Sequence, residues 1–435
     1  MAAILPVLAH LGLLLIFDLA DHLVLTLFCV GVGFAGLLLA ERRLRGDLGS
    51  SGVGLIIGVA ILLRILLLPV PPSLSDDMYR YLWDGRVLAA GLNPYALAPE
   101  APELIPLRGD LWTELSHRDV ATVYPPLAQG VFALSAWLPA SLYGLKAILV
   151  VLDLGACALL MALSRLWGLP LRRTIWYAWN PLVTVEIAGM GHVDALGVAL
   201  VVLTTTLLAL PKRRTLWAAV TAAGAVLSKL VPILAVPIWA RQSGRAKVLA
   251  GMALSLALLG LLPVLWTTGG VPPGLIEYGV SWEFNGPLFE PLWRILDKID
   301  LHALVESGLD RLKVLTERPD PWNDLYHYNY PQLWAKVLLS LGLMISLIWV
   351  WRTSDTLISL RRVFGCVIVF SATVYPWYAL WVLPWAALSR HPAWLSLSAL
   401  LFISYLPQFL DIPLFPWIHG LIWLPFAAMM LWNRR

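Results

Sequence analysis

Charged residues are scarce in this chain of 435 residues: Asp, Glu, Lys and Arg make up 13% of it, whereas hydrophobic residues make up 59%. Soluble globular domains carry about 25% charged residues, so this composition excludes a soluble fold. A membrane-spanning helix needs about 20 mostly apolar residues. The sequence therefore predicts an all-α, polytopic transmembrane helical bundle, with apolar windows that include 23–40, 54–70, 145–166, 193–210, 248–266 and 333–351.

Three further absences narrow the class of protein. The three cysteines (Cys29, Cys157 and Cys366) lie far apart inside apolar runs, which excludes a disulfide framework and a cysteine metal site. The first 20 residues lack a basic start and contain Asp18, so a cleaved signal peptide is not expected. The sequence shows no internal repeat of the kind that marks inverted-repeat transporters.

Basic residues are concentrated in short loops, which predicts the orientation of the chain. These loops hold 18 of the 31 Lys and Arg residues but only three acidic residues. By the positive-inside rule they face the cytoplasm, so the long segments 71–124 and 267–332 form two external loops. The basic residues therefore indicate topology, and no nucleic-acid partner is expected. The loops are 41–47, 165–173, 212–214, 241–247 and 352–362, with Arg390, Arg434 and Arg435.

The apolar pattern predicts about 11 to 13 helices, short ones included, in a single membrane domain over 1–435. Segment 127–138 is too short to span comfortably and is predicted to be re-entrant. Segment 216–240 contains Lys229, Pro232 and Pro237, which predicts two short helices that meet near the lysine. Irregular backbone at membrane depth is tolerated only against protein or water, so this break is expected to line a cavity.

Two adjacent acids, Asp76 and Asp77, stand just after an apolar run. Paired carboxylates beside a membrane suggest proton transfer or metal-assisted chemistry. The alternative is a solvated helix start with acids in its first turn. On a helix Asp76 shares a face with Arg80, and Asp77 shares a face with Tyr81. Arg80 could therefore serve only to neutralise Asp76.

A second group of ionisable residues interrupts the apolar pattern further along the chain. Glu186, His192 and Asp194 fall within nine residues, which favours contacts to a phosphate, a sugar or a divalent ion over a solitary interfacial histidine. Lys229 stands mid-span, where a lipid-linked phosphate would be a suitable partner. Its alternative role is a structural ion pair with Asp153 or Glu186.

An ordered series of motifs resembles one superfamily of membrane enzymes. The motifs are D-D-M-Y-R-Y-L-W-D-G-R-V with G-L-N-P-Y, V-Y-P-P-L, W-N-P-L with G-H-V-D, L-S-K-L-V-P, F-N-G-P-L and Y-P-W-Y-A-L-W, from about residue 75 to 385. Together they resemble GT-C glycosyltransferases, in particular the bacterial and archaeal polyprenyl-phosphate-mannose-dependent mannosyltransferases (glycosyltransferase family 87-like). The resemblance implies GT-C architecture in the prokaryotic plasma membrane, with the active site on the extracytoplasmic face.

The same resemblance implies a reaction and a set of site residues. A hexose, mannose by analogy with the family, would pass with inversion from a polyprenyl-phosphate donor to a hydroxyl of a lipid-linked or glycan acceptor. One aspartate of the pair would be the base, with Asp76 preferred over Asp77. Lys229, Arg80, Arg86 and His192 would stabilise the leaving phosphate. No cofactor is required, but a divalent cation (Mg²⁺ or Mn²⁺) remains open; further substrate contacts are predicted at Tyr79, Asn93, Tyr124, Glu186, Asp194 and Asn285.

Three other classes of membrane protein were weighed against the transferase. A transporter or flippase of lipid-linked sugars would need a polar path through both halves of the bundle, whereas the acids here are crowded on one side. An O-antigen-type polymerase or ligase would more naturally carry arginines in its large external loops. A structural subunit would leave the Asp76-Asp77 pair, His192, Asp194 and Lys229 unexplained.

Overall fold

The computed structural model describes residues 2–44, 49–138, 140–316, 323, 325–326 and 328–432. Helices joined by short connections build this part of the chain, and it contains no β-strand. Two isolated bridges tie Phe284 and Asn285 to Thr373. The predicted all-α class is therefore confirmed. Of the basic residues used to predict orientation, Arg45, Arg434 and Arg435 lie outside the described residues.

Five helices of the described chain are long and apolar enough to cross a membrane, which agrees with an integral membrane protein. They are Leu23–Arg43, Ser141–Leu166, Ala246–Thr268, Pro331–Arg352 and Leu414–Trp432. Shorter apolar helices complete the bundle, and they are Ile4–Ile16, Ser51–Leu67, Pro126–Ala136, Asp194–Ala209 and Thr215–Ser228.

Two regions of the bundle are divided into short helices, and proline sets many of the divisions. Proline lacks a backbone N–H and fits the first helical positions, so it starts a new helix more readily than it continues one. Asn180 caps one such start, because its side chain accepts a hydrogen bond from the Leu182 N–H at 2.9 Å. The divided regions comprise Leu171–Thr174, Ile175–Ala178, Pro181–Thr184 and the π-helix Val185–Gly189, then Thr356–Phe370, Pro376–Trp381, Leu383–Ser389, Pro392–Leu400, Leu401–Tyr405 and Leu406–Phe409.

The predicted break at Lys229 is present. The helix Thr215–Ser228 ends there, and Lys229 itself is extended (φ −161°, ψ 138°). A short 3₁₀-helix, Val231–Ala235, and the helix Val236–Ser243 follow. Because Lys229 is extended, its side chain leaves the helix at this point, and its ammonium group faces an interior cavity.

Segment 71–124 forms short helices: Asp77–Ala89, Pro102–Leu107 and Asp110–Trp112. The helix Asp77–Ala89 packs closely on Pro126–Ala136, the segment predicted to be re-entrant. Gly85 is required at this contact, because a Cβ there would collide with the backbone carbonyl of Phe132. Segment 267–332 contributes Pro273–Ser281, Phe289–Lys298 and Leu301–Thr316.

One ion pair is sealed in the bundle away from any cavity. The Arg64 Nε donates to the Asp153 Oδ2 at 2.7 Å, and both side chains are fully buried. The Tyr177 hydroxyl donates to the other carboxylate oxygen of Asp153 at 2.8 Å. Removing one partner of such a pair costs about 3–5 kcal/mol, because the remaining charge is left buried. Asp153 therefore has a structural role as the partner of Arg64.

Candidate active site

A cavity of about 980 Å³ opens among segments 71–124 and 267–332, the break at Lys229 and the region 364–381. Several residues predicted as site residues line it. They are Asp76, Asp77, Tyr79, Arg80, Tyr124 and Lys229.

Asp77 is the carboxylate with organised partners. It is the first residue of the helix Asp77–Ala89, and the Tyr81 hydroxyl one turn later donates to its Oδ2 at 3.2 Å. The His192 Nδ1 lies 3.6 Å from the same oxygen. Burial opposes ionisation, but the neighbouring imidazole of His192, with the charge of Lys229 and the hydroxyl of Tyr81, outweighs it and lowers the pKa of Asp77. Asp77 is thus kept ionised while it faces the cavity.

Asp76 lies in a different environment, although it lines the same cavity. Its side chain is exposed and makes no capping hydrogen bond to the helix that follows. Arg80, predicted as a possible neutralising partner of Asp76, is instead paired with Asp84. Of the two carboxylates, Asp77 is therefore the one that has organised partners, whereas the resemblance gave the preference to Asp76.

His192 lies between two carboxylates and against an indole face. It is fully buried in the turn between Val185–Gly189 and Asp194–Ala209, and its Nε2 is 3.2 Å from the Glu186 Oε2. The imidazole stacks on Trp377 with ring centroids 3.9 Å apart and planes 18° from parallel. Gly191 has a φ of +81°, a conformation that favours glycine and that turns the chain into the histidine.

Glu186 lies behind His192 and is not among the residues that line the cavity. It is fully buried in the π-helical turn, and the Tyr405 hydroxyl donates to its two carboxylate oxygens at 3.0 and 3.2 Å. The prediction that Glu186 contacts substrate does not match this placement. Its position instead links it to Asp77 through the imidazole.

Lys229 pairs with Asp194, not with the predicted Asp153 or Glu186. The ammonium Nζ is 2.7 Å from the Asp194 Oδ1, and the Trp381 indole N–H donates to the same oxygen. The Lys229 side chain is 24% exposed and faces the cavity, whereas Asp194 is buried behind it.

The approach of Trp381 to this pair depends on Gly197. A Cβ at Gly197 would collide with the indole ring. The Asp194 Oδ2 has no hydrogen-bond partner in the described part of the chain. In the Lys229–Asp194 pair, only the Oδ1 of Asp194 therefore has hydrogen-bond partners. Lys229 faces the cavity, where a ligand can reach its ammonium group.

Arg80 builds the cavity wall with a guanidinium group that is already engaged. Its Nε is 2.9 Å from the Asp84 Oδ1, and its Nη2 donates to the carbonyl of Val120 at 2.7 Å. Its Nη1 donates to the carbonyl of His117 at 3.3 Å. Asp84 also accepts a hydrogen bond from the Thr122 hydroxyl, so this network connects the helix Asp77–Ala89 to segment 117–122. Protein groups therefore engage three of the five N–H donors of Arg80.

Three residues predicted to bind substrate stabilise loops instead, and none of them lines the cavity. Arg86 donates to the carbonyl of Leu107 at 3.0 Å. The Asn93 side chain accepts from the Tyr95 N–H at 2.9 Å, a local turn. Asn285 is buried with a φ of +54° and accepts from the Trp423 indole at 2.9 Å. Asn is tolerated in this left-handed conformation, which explains its place in the loop.

Four rings form a continuous stack beside the cavity. Phe284, Tyr375, Trp377 and His192 follow one another at centroid distances of 4.7, 4.6 and 3.9 Å, with planes within 18° of parallel. Both faces of Tyr375 and Trp377 are therefore covered by neighbouring rings. These two side chains offer only their edges to the cavity, so neither can stack on the face of a sugar.

The oxygen ligands near the cavity do not fit a divalent cation. Magnesium and manganese need several convergent oxygen ligands, but Asp77 faces His192 and Asp194 faces Lys229. Within the described ranges, no three His, Cys, Asp or Glu side chains come together to hold a metal ion. No catalytic step is therefore derived through a metal.

Trp381 and Tyr405 belong to the site although they were not predicted as site residues. Trp381 lies in the Y-P-W-Y-A-L-W motif, so its position was marked, but its hydrogen bond to Asp194 was not. Tyr405 lies 219 residues from Glu186 and follows an ordinary apolar run. Only the fold brings those two together.

The site can now be compared with known proteins. The family described as alpha-(1->6)-mannopyranosyltransferase, N-terminal domain (MptA_B family), matches residues 2–243, which is more than half of the chain. The chain belongs to this family. The match agrees with the predicted GT-C-like mannosyltransferase and supports mannosyl transfer as the activity. No curated protein and no solved structure matches the chain significantly.

The matched region of this family member contains all the ionisable residues of the site described above, from Asp76 to Lys229. The cavity wall that begins at Leu275 lies beyond it.

Proposed function

We propose that this protein transfers mannose from a polyprenyl-phosphate-linked donor to a hydroxyl of a lipid-linked or glycan acceptor on the extracytoplasmic face. The linkage formed would be α-(1→6), in keeping with the family, and the anomeric centre would be inverted. The observation that carries the proposal is that an ionised carboxylate, Asp77, and an accessible ammonium group, Lys229, face one cavity.

Asp77 is the general base of this reaction. Its carboxylate takes the proton of the acceptor hydroxyl as that oxygen forms a bond to the anomeric carbon of the mannose. The bond from the same carbon to the phosphate oxygen breaks on the opposite side, and its electron pair leaves with the polyprenyl phosphate. An α product made by inversion requires a β-linked donor. Tyr81 and His192 hold the carboxylate in place during the transfer.

Lys229 stabilises the departing phosphate. Its exposure to the cavity supports this role over the other three predicted cations, because the Arg80 side chain is less exposed, Arg86 lies off the cavity and His192 is buried. A charge-assisted contact from an ammonium group to phosphate oxygen lowers the energy of the developing negative charge. Lys229 therefore acts as the electrostatic counterpart of Asp77.

The cavity suits a substrate with a polar head and an apolar chain. Polar groups that include Asp18, Tyr79 and Glu114 line it, and so do apolar side chains that include Phe364 and Val367. Sugars are recognised by hydrogen bonds from polar groups, and isoprenoid chains are bound by apolar surface. A lipid donor also enters laterally from the membrane, so no nucleotide-binding domain is needed.

The direct test is mannosyl transfer by the purified full-length protein, with radiolabelled polyprenyl-phosphate-β-mannose and a panel of mannoside acceptors. We expect product with a new α-(1→6) linkage. Asp77→Asn should lower kcat by about a thousandfold, because the base is lost, and Asp76→Asn by less than about tenfold. Transfer by Asp77→Asn at the wild-type rate would overturn the assignment of the base. Use of a nucleotide sugar in place of the lipid donor would overturn the assignment of the donor.

A further inference from the structure

We propose that Glu186 is a positioning residue for the base, acting on Asp77 through His192. The proposal rests on the proposed function, in which Asp77 accepts the acceptor proton. It assigns to Glu186 a role without substrate contact, in place of the substrate-binding role predicted from the sequence.

A chain of contacts links Tyr405 to Asp77 across the fold. The Tyr405 hydroxyl donates to Glu186 at 3.0 Å, Glu186 lies 3.2 Å from the His192 Nε2, and the His192 Nδ1 lies 3.6 Å from Asp77. Asp77 is the one member of this chain that lines the cavity. Glu186 can therefore affect the reacting groups only through the imidazole.

Charge balance explains why the acid is needed. A buried carboxylate is costly unless it is paired and hydrogen-bonded, and Glu186 has two partners, His192 and Tyr405. An imidazole between two carboxylates favours the form with an N–H on both nitrogens, since each N–H then meets an anion. This form directs the Nδ1–H of His192 at Asp77. Without the charge of Glu186, the proton on Nδ1 is no longer assured.

Packing fixes the ring in this orientation. Trp377 covers one face of the imidazole at 3.9 Å, and Tyr375 covers the far face of Trp377 at 4.6 Å. The ring is thus restrained against tilting, while the carboxylate of Glu186 fixes its rotation in the plane and its protonation. Groups that are held by such outer contacts position a catalytic carboxylate more accurately than the carboxylate's own rotamer allows.

The test is a double-mutant cycle between Glu186→Gln and His192→Gln, measured by mannosyl transfer from polyprenyl-phosphate-mannose. Glu186→Gln alone should lower kcat roughly tenfold and leave the KM values for donor and acceptor within about twofold. In the His192→Gln background the same substitution should change kcat by less than about twofold, because Glu186 acts through the histidine. Equal effects of Glu186→Gln in both backgrounds would overturn the proposal.

Two tyrosine variants guard against a merely structural effect. Tyr405→Phe keeps the ring and removes the hydroxyl from Glu186, and it should lower kcat without a change in KM. Tyr177→Phe is the matched control, because it removes the same type of bond from the buried Asp153, remote from the cavity. Its kcat should equal that of the wild type. If Tyr177→Phe lowered kcat as much as Tyr405→Phe, the loss would reflect stability alone.

The outcome also separates this proposal from the proposed function. If Asp77→Asn is inactive while the two glutamine substitutions behave additively, Asp77 stands as the base and only the role of Glu186 fails. If Asp77→Asn is active, the base assignment itself fails. Thermal stability of each purified variant, measured in the same detergent, identifies any variant that is simply unfolded.

Discussion

The two halves of the chain contribute different chemistry to one cavity. Every charged residue among the described lining residues comes from the part of the chain before Leu230, whereas the lining residues from Leu275 onward are uncharged aromatic, aliphatic and polar side chains. The family match covers the first of these halves and ends at residue 243. The ionisable groups are therefore concentrated in the matched half, and the later half shapes the space around them. The charged lining residues are Asp18, Asp76, Asp77, Arg80, Glu114 and Lys229.

The later half nevertheless controls the state of those charges. Four of its aromatic side chains each contact a different ionisable residue of the first half. Trp377 stacks on His192, Tyr378 lies under Lys229 at 5.0 Å, Trp381 donates to Asp194, and Tyr405 donates to Glu186. The matched half therefore carries the ionisable groups, and aromatic side chains of the later half help to orient them.

The largest expected effect in this comparison comes from Lys229. Lys229→Met removes the ammonium group that we propose to meet the donor phosphate and its developing charge, so it should lower kcat and raise the KM for polyprenyl-phosphate-mannose, and kcat/KM should fall by about a hundredfold. It also leaves Asp194 buried without its cation, which destabilises the fold. Steady-state kinetics at varied donor concentration measure the first effect, and thermal unfolding measures the second.

A double variant separates these two effects. Lys229→Met with Asp194→Asn removes both charges, so it should recover much of the stability but none of the donor affinity. If the double variant binds the donor as tightly as the wild type, Lys229 serves only as the partner of Asp194. The first half of the chain would then not supply the cation that binds the donor phosphate.

A smaller effect, on pH dependence, is expected from His192. The imidazole of His192, 3.6 Å from the Asp77 carboxylate, lowers the pKa of Asp77. His192→Gln should therefore raise the pKa of Asp77, and the acidic limb of kcat/KM should move to higher pH. The sign follows because the base works only when ionised and would now become protonated at a higher pH. An unchanged acidic limb in the pH profile would show that His192 does not tune Asp77.

Local patterns in the sequence predict much of this fold and part of the site. The scarcity of charge predicts the helical membrane bundle, and the lysine and prolines in segment 216–240 predict the break that faces the cavity. The spacing of Asp77 and Tyr81 predicts their contact, because residues four apart share a helix face.

Long-range packing accounts for what the sequence could not predict. The choice between Asp76 and Asp77 depends on which one faces His192, more than 100 residues away in the chain. Asp194 could not be recognised as the partner of Lys229, ahead of Asp153 or Glu186, before the packing of Asp194–Ala209 against Thr215–Ser228 was known. Asn93 and Asn285 looked like ligands because polar residues in motifs suggest binding, whereas each satisfies the backbone geometry of its loop.

The smallest expected effect tests the uncharged half directly. Val367 lines the apolar part of the cavity on the helix Thr356–Phe370 and is partly exposed there. Val367→Ser removes about one buried aliphatic contact to an isoprenoid chain, which should raise the donor KM by roughly threefold. Donors with a very short isoprenoid chain should show no change, since they do not reach this wall. Equal losses for long and short donors would place Val367 near the sugar instead, and the lipid chain would then have to lie along another part of the cavity.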